Sequence, residues 1–226
     1  MQTAVTKDGF CEECAALDSD PLVRIAPPTW TAPPGSPPRL KSPVGLSYAV
    51  LALLGVWTAD DLVLFVSYRL GSVAVHDLAI MFGGLVWFAC AVTFMVWFHR
   101  VRVNAEVFAP FGHRKSRGWA YWGWIVPVVN LWYPRRIAVD TWVASTQRRP
   151  DGSALPASYR LVNVWWACWL LSSCTAYYPD TKVQDVVLAL GTVADVAAAV
   201  AAGCFVRQLT CKQDVLVRWG PIAAAA

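Results

Sequence analysis

Residues 78–98 read LAIMFGGLVWFACAVTFMVWF, 21 consecutive positions without a charged side chain. A helix rises about 1.5 Å per residue, so a run of this length crosses the roughly 30 Å hydrocarbon core of a bilayer. The block ends at Trp97 and Phe98, followed at once by HRVR. An aromatic anchor and a basic flank are what a span carries where it leaves the membrane.

The rest of the chain repeats the theme. Val44–Tyr68, Leu161–Tyr178 and Val183–Val206 are further apolar blocks, and short charged stretches separate them. Charged residues make up 15% of the chain, against about 25% in soluble domains. In the first block Asp60 and Asp61 interrupt the pattern. It reads either as a helix to residue 60 with an interfacial turn, or as one tilted span to Arg69. The YYPDTK stretch between the last two blocks is a tight turn, which makes those helices antiparallel neighbours.

Residues 117–136, RGWAYWGWIVPVVNLWYPRR, are harder to place. Trp119, Trp122, Trp124 and Trp132 suit an interface, but Pro127 removes a backbone donor and favours a kink. Trp119 to Tyr133 would measure about 22 Å as a helix, short of the hydrocarbon core.

Charge decides between crossing and dipping. Arg100, Arg102, Arg114, Lys115 and Arg117 precede the stretch, and Arg135, Arg136, Arg148, Arg149 and Arg160 follow it. Cytoplasmic loops carry the excess of Lys and Arg. A crossing would put one of these two basic loops outside. A segment that dips and returns keeps both inside, along with Arg39, Lys41, Arg207, Lys212 and Arg218. The expected fold is therefore all-α: a polytopic membrane helix bundle of four spans with a tryptophan-rich re-entrant or interfacial segment. It is a multi-pass protein of the cell membrane with both termini cytoplasmic. The rival is one long kinked helix over 118–146.

Residues 1–42 read as a disordered cytoplasmic tail, 43–208 as the membrane domain and 209–226 as a short C-terminal tail. Pro27, Pro28, Pro33, Pro34, Pro37 and Pro38 favour polyproline II, so the front end reads as a semi-rigid tether for a cytoplasmic protein partner. It shows no apolar stretch after a basic start, so no secretory leader is read. Cys11 and Cys14 form a C-x-x-C pair, half of a tetrahedral zinc set. Cys211, or a second copy in a homo-oligomer, would have to complete it. Zinc there is the one cofactor suggested, with a metal-free remnant as its alternative. The net charge of +4 sits at block ends rather than along one polar face, which excludes a nucleic-acid binder.

WFHRVRVNAEVF (97–108), SRGWAYWGWIVPVVNLWYPRRIAVDTWVAS (116–145) and VWWACW (164–169) together resemble the family called domain of unknown function 4328, common in actinobacterial membrane proteins. The pattern covers roughly residues 43–208. It implies an integral membrane protein, often with a cysteine-containing, proline-rich front end, and it implies no activity, ligand or catalytic residue.

The candidate site residues are polar groups at membrane depth or at its edge. Asp195, midway along the last block, shares a helical face with Gly191, Ala199 and Ala202. Such a carboxylate faces the bundle interior, as an ion or proton site or as a packing hydrogen bond to Asn163, Ser172, Ser173 or Thr93. Asn130 follows the Pro127 break and is placed to satisfy it or to line a cavity. Arg100 and Asn104 share a helix face, and Arg135 and Arg136 follow Pro134. If the third block re-enters, these four meet at the cytoplasmic mouth, where a basic cluster suits the head groups of membrane lipids or phosphate-bearing ligands. Plain positive-inside topology is the alternative. His76 and His99 bracket one block from opposite ends and His113 lies in a loop, which does not fit a haem pair. No catalytic motif is present. The reading is a non-enzymatic scaffold or accessory subunit; the alternatives are a small ion or solute transporter using Asp195, and a membrane enzyme on a lipid or isoprenoid.

Overall fold

A computed structural model of the chain describes residues 40–147, 157–175 and 184–219. The Cys11/Cys14 pair and the proline-rich stretch lie outside these residues. The described chain is helical, with α1 at Val44–Leu70, α2 at Val73–Phe108, α3 at Trp119–Ile125, α4 at Tyr133–Ala144, α5 at Arg160–Thr175 and α6 at Gln184–Trp219. A 3₁₀ turn at Val129–Leu131 lies between α3 and α4, and no strand occurs among the described residues.

Helix α1 runs unbroken through Asp60 and Asp61, which decides between the two readings of the first block. It ends at Gly71, where φ is 67°. A left-handed residue there lets the Gly71 N–H reach the Tyr68 carbonyl and the Ser72 N–H reach that of Ser67, so the last carbonyls of the helix are satisfied. The chain reverses into α2, and the two helices pack along their lengths. At mid-depth the Asp60 carboxylate fills the space that a Cβ on Gly83 would need, so the glycine permits the close approach. Near the turn the Ser67 hydroxyl meets His76 Nδ1 at 3.3 Å.

Helices α1, α2 and α6 are long and apolar enough to cross a membrane. Large apolar side chains such as Leu78, Met81, Leu85, Trp87 and Phe88 are exposed on α2, while Arg102, Asn104 and Gln213 are buried. A bilayer rather than water is the solvent that accepts such an outer surface. Helix α5 is described over 16 residues, about 24 Å. It packs antiparallel to α6: Trp165 stacks on Phe205 at 4.4 Å, while Ser172 further on meets Asp195 earlier in α6.

Helix α6 passes through the expected boundary at residue 208 without a break. Its apolar spacing continues there, and Leu209, Gln213 and Leu216 are buried against the bundle. Residues 209–219 thus belong to the packed helix. With Trp97, Phe98 and Val101 of α2, Ile137, Ala138 and Trp142 of α4 and Trp165 of α5, this end of α6 forms the main core at the arginine-rich end of the molecule.

Candidate functional site

The tryptophan-rich stretch is not one helix. Helix α3 lasts seven residues and stops before Pro127. At Val128 the backbone takes φ 67° and ψ −53°, and the Val129 N–H bonds the Pro127 carbonyl at 2.7 Å. That is a γ-turn of the strained kind, carried by a β-branched residue. The 3₁₀ turn follows and α4 leads back.

Entry and exit of this segment touch. Trp119 packs edge-on to Tyr133 at 4.8 Å, and Lys115 Nζ donates to the Tyr133 hydroxyl at 3.0 Å. The Arg114 N–H donates to the Asp140 carboxylate at 3.1 Å, and the Arg114 guanidinium pairs with it at 3.3 Å. Residues 114–119 and 133–140 therefore lie at the same end of the bundle, and a long kinked helix over 118–146 does not form.

Aromatic rings fix how far the hairpin reaches. Tyr121 stacks on His99 at 4.4 Å. Trp124, one turn on, is keyed among Phe94 and Phe98 of α2 and Trp165, Trp166 and Trp169 of α5. From His99 back to Phe94 is about 7 Å along α2, so Trp124 packs beside the apolar stretch of α2. Ile125, Val128 and Leu131 at the tip are exposed.

Beneath the hairpin lies a charged layer. The Arg102 guanidinium, 1% exposed, donates to the Lys115 carbonyl at 2.6 Å and pairs with Glu106 at 2.8 Å. Glu106 also takes Arg117. The 109–118 loop is thus stapled to α2. Inside that loop His113 is held below its ordinary imidazole range, chiefly by burial and further by the Arg102 charge.

Residues 69–211 match the model of a domain of unknown function, DUF4328. The chain belongs to this family. No curated protein and no solved structure was found to match it. The DUF4328 match starts at the last turn of α1 and ends within α6, so it takes in the broken hairpin, the charged layer and the aromatic cluster around Trp124.

Within this DUF4328 protein the expected basic cluster divides in two. Arg100 and Asn104 turn to the root of α1. Arg100 donates to the Ser42 carbonyl at 3.2 Å, and Asn104 accepts from the Lys41 N–H at 3.2 Å while donating to the Lys41 carbonyl at 2.9 Å. Arg135 turns instead to α5, where its Nε and Nη2 both donate to the Asn163 side-chain oxygen at 3.1 and 2.7 Å. Arg136 is exposed. Asn104 and Arg135 therefore serve different neighbours, because residue 104 faces α1 and α6 while residue 135 faces α5.

Asp195 accepts from the Ser172 hydroxyl. Asp61, on α1, lies within electrostatic reach of it and has a buried oxygen without a hydrogen-bond partner among the described residues. The buried Asn130 side-chain oxygen and Trp124 Nε1 are likewise without partners among them.

Sequence reasoning missed Gln213. It is fully buried and donates to the Val101 carbonyl at 2.7 Å and to Ser145 Oγ at 3.0 Å, while its oxygen accepts from Asn104 at 3.1 Å. The signal was the helical spacing of Phe205, Leu209 and Leu216, which carries residue 213 onto the inner face. The pairing of Asp140 with Arg114 had no comparable signal.

Proposed function

We propose that this chain is a multi-pass protein of the cell membrane with four spans and both termini cytoplasmic, acting as a non-enzymatic scaffold or accessory subunit. In this reading the 117–136 segment is re-entrant, and the proline-rich front end carries a cytoplasmic partner. The observation that supports it is the hold on Lys41 and Ser42. Asn104 takes both backbone groups of Lys41, and Arg100 takes the Ser42 carbonyl. A root fixed in this way gives the front end a defined point of departure from the membrane domain.

Removal of residues 1–39 should abolish co-purification of the cytoplasmic partner while the membrane domain still accumulates; retention of every partner would sink the scaffold reading. Cysteines placed at positions 110 and 150 of a chain stripped of its own thiols should react with an impermeant reagent from the cytoplasmic side only.

A second reading, a small transporter, draws on Asp195 bonded to Ser172 between α5 and α6, with Asp61 of α1 within electrostatic reach. Under it, Asp195→Asn abolishes flux in proteoliposomes, and unchanged flux removes that site.

A further inference from the structure

Several arginines at this end pair with carboxylates: Arg102 and Arg117 share Glu106, Arg114 meets Asp140, and Arg218 meets Asp214. Arg135, like Arg100, has a neutral oxygen as its partner instead. Its guanidinium is aimed by two N–H groups onto the Asn163 amide oxygen, a neutral acceptor, so its direction is set while no carboxylate among the described residues compensates its charge. Arg160 lies one turn before Asn163 on α5, and residues so spaced share a helix face. Arg136 and Arg160 are exposed and carry no ion pair among the described residues. Trp132, one turn before Arg136, and Tyr159, next to Arg160, are exposed.

We propose that Arg135, oriented by Asn163 and flanked by Arg136 and Arg160, is a binding site for the phosphate of an anionic phospholipid in the cytoplasmic leaflet. A guanidinium with unused N–H groups matches a phosphodiester in charge and in geometry. Trp132, on the hairpin side of Arg135, suits the head-group level, where aromatic rings of this kind collect. A lipid is the fitting source of the phosphate because the cluster sits where the hairpin leaves the apolar zone, beside the aromatic cleft that receives Trp124. The site rests on the re-entrant topology, and it separates Arg135 and Arg136 from Arg100 and Asn104, which are engaged with the root of α1.

The test uses the delipidated full chain in detergent, titrated with dioleoyl phosphatidylglycerol or dioleoyl phosphatidylcholine and followed by native mass spectrometry. Phosphatidylglycerol should be preferred. Arg135→Gln with Arg160→Gln should weaken it by roughly thirtyfold. Asn163→Asp keeps the contact with Arg135 but adds the missing carboxylate, and should weaken binding comparably with no loss of folded protein. Arg218→Gln should leave it unchanged. Equal binding of phosphatidylcholine, wild-type affinity in Asn163→Asp, or an equal loss in Arg218→Gln would each overturn the site. Competition by inorganic phosphate as effective as the lipid would reassign it to a soluble anion. Labelling of positions 110 and 150 in the same preparation, returned to vesicles, separates the two levels. Opposite-side labelling overturns the topology, and same-side labelling without lipid preference overturns the lipid site alone.

Discussion

Asn104 donates to the Gln213 side-chain oxygen at 3.1 Å, and neither side chain is more than 2% exposed. Through this pair the root of α1 at Lys41, the end of α2, the Ser145 hydroxyl after α4 and the lower part of α6 are joined in one network whose centre is buried. Every polar atom of the Gln213 amide is engaged, which is the condition under which a buried polar group stops being a liability.

Gln213→Leu should therefore be costly. It removes the second bond to the Val101 carbonyl and leaves the Ser145 hydroxyl and part of the Asn104 amide without their Gln213 partner, and a buried orphan of this kind costs about 1–3 kcal/mol. The expected loss in reversible unfolding in micelles is about 3 kcal/mol. Adding Asn104→Leu should cost less than the sum of the two single changes. Strict additivity would show that the pair does not act as a unit. Hydrogen exchange at the Lys41 amide should rise in Asn104→Leu.

Gly83→Ala tests the mid-depth contact. The new methyl meets the Asp60 carboxylate, so the acid must rotate or α1 must back away from α2. A cost of about 1–3 kcal/mol is expected for overpacking of this kind. Asp60→Ala in the same chain should recover most of it. No recovery would place the strain elsewhere.

Val128→Gly removes a Cβ from the left-handed γ-turn. Backbone strain of this sort costs about 1–3 kcal/mol, and the added chain entropy of glycine takes back about 0.5–1 kcal/mol. A net gain of about 1 kcal/mol should appear as a higher unfolding temperature. A lower one would mean that the positive φ at residue 128 is not strained in the folded protein.

Acid should loosen the 109–118 loop. Burial, the largest cause, lowers the His113 pKa below its ordinary 6.5, with Arg102 adding to it and the Ala105 backbone, Glu106 and Asp140 opposing it. The unfolded chain then takes up the proton first. Stability is full above about 6.5 and falls as the pH drops through it toward the folded value. His113→Asn should flatten that part of the stability curve, and an unchanged slope would exclude His113 as its source.

Much of this was legible in the residues themselves. The charge-free run at 78–98 and the basic flanks at 114–117 and 135–136 pointed to a membrane bundle with a broken third segment, because hydrophobic length and loop charge are local properties. Pro127 marked the break for the same reason: it lacks a donor wherever it stands. The roles of the arginines were not legible, since charge alone does not say which carboxylate comes near. Glu106 lies in a stretch that reads as plain loop charge, and Asp140 is an isolated acid in α4, yet they pair with Arg102, Arg117 and Arg114.

By itself, then, the sequence determined the solvent of this protein and the place where its backbone breaks, because burial cost and proline chemistry act residue by residue. Only the tertiary structure decided that Trp119 returns to Tyr133, that Asn104 and Gln213 close a buried network, and that Arg135 is aimed by a neutral Asn163. Those outcomes depend on which helix faces meet, and residues 109 positions apart acquire a common hydrogen bond only once the packing is set.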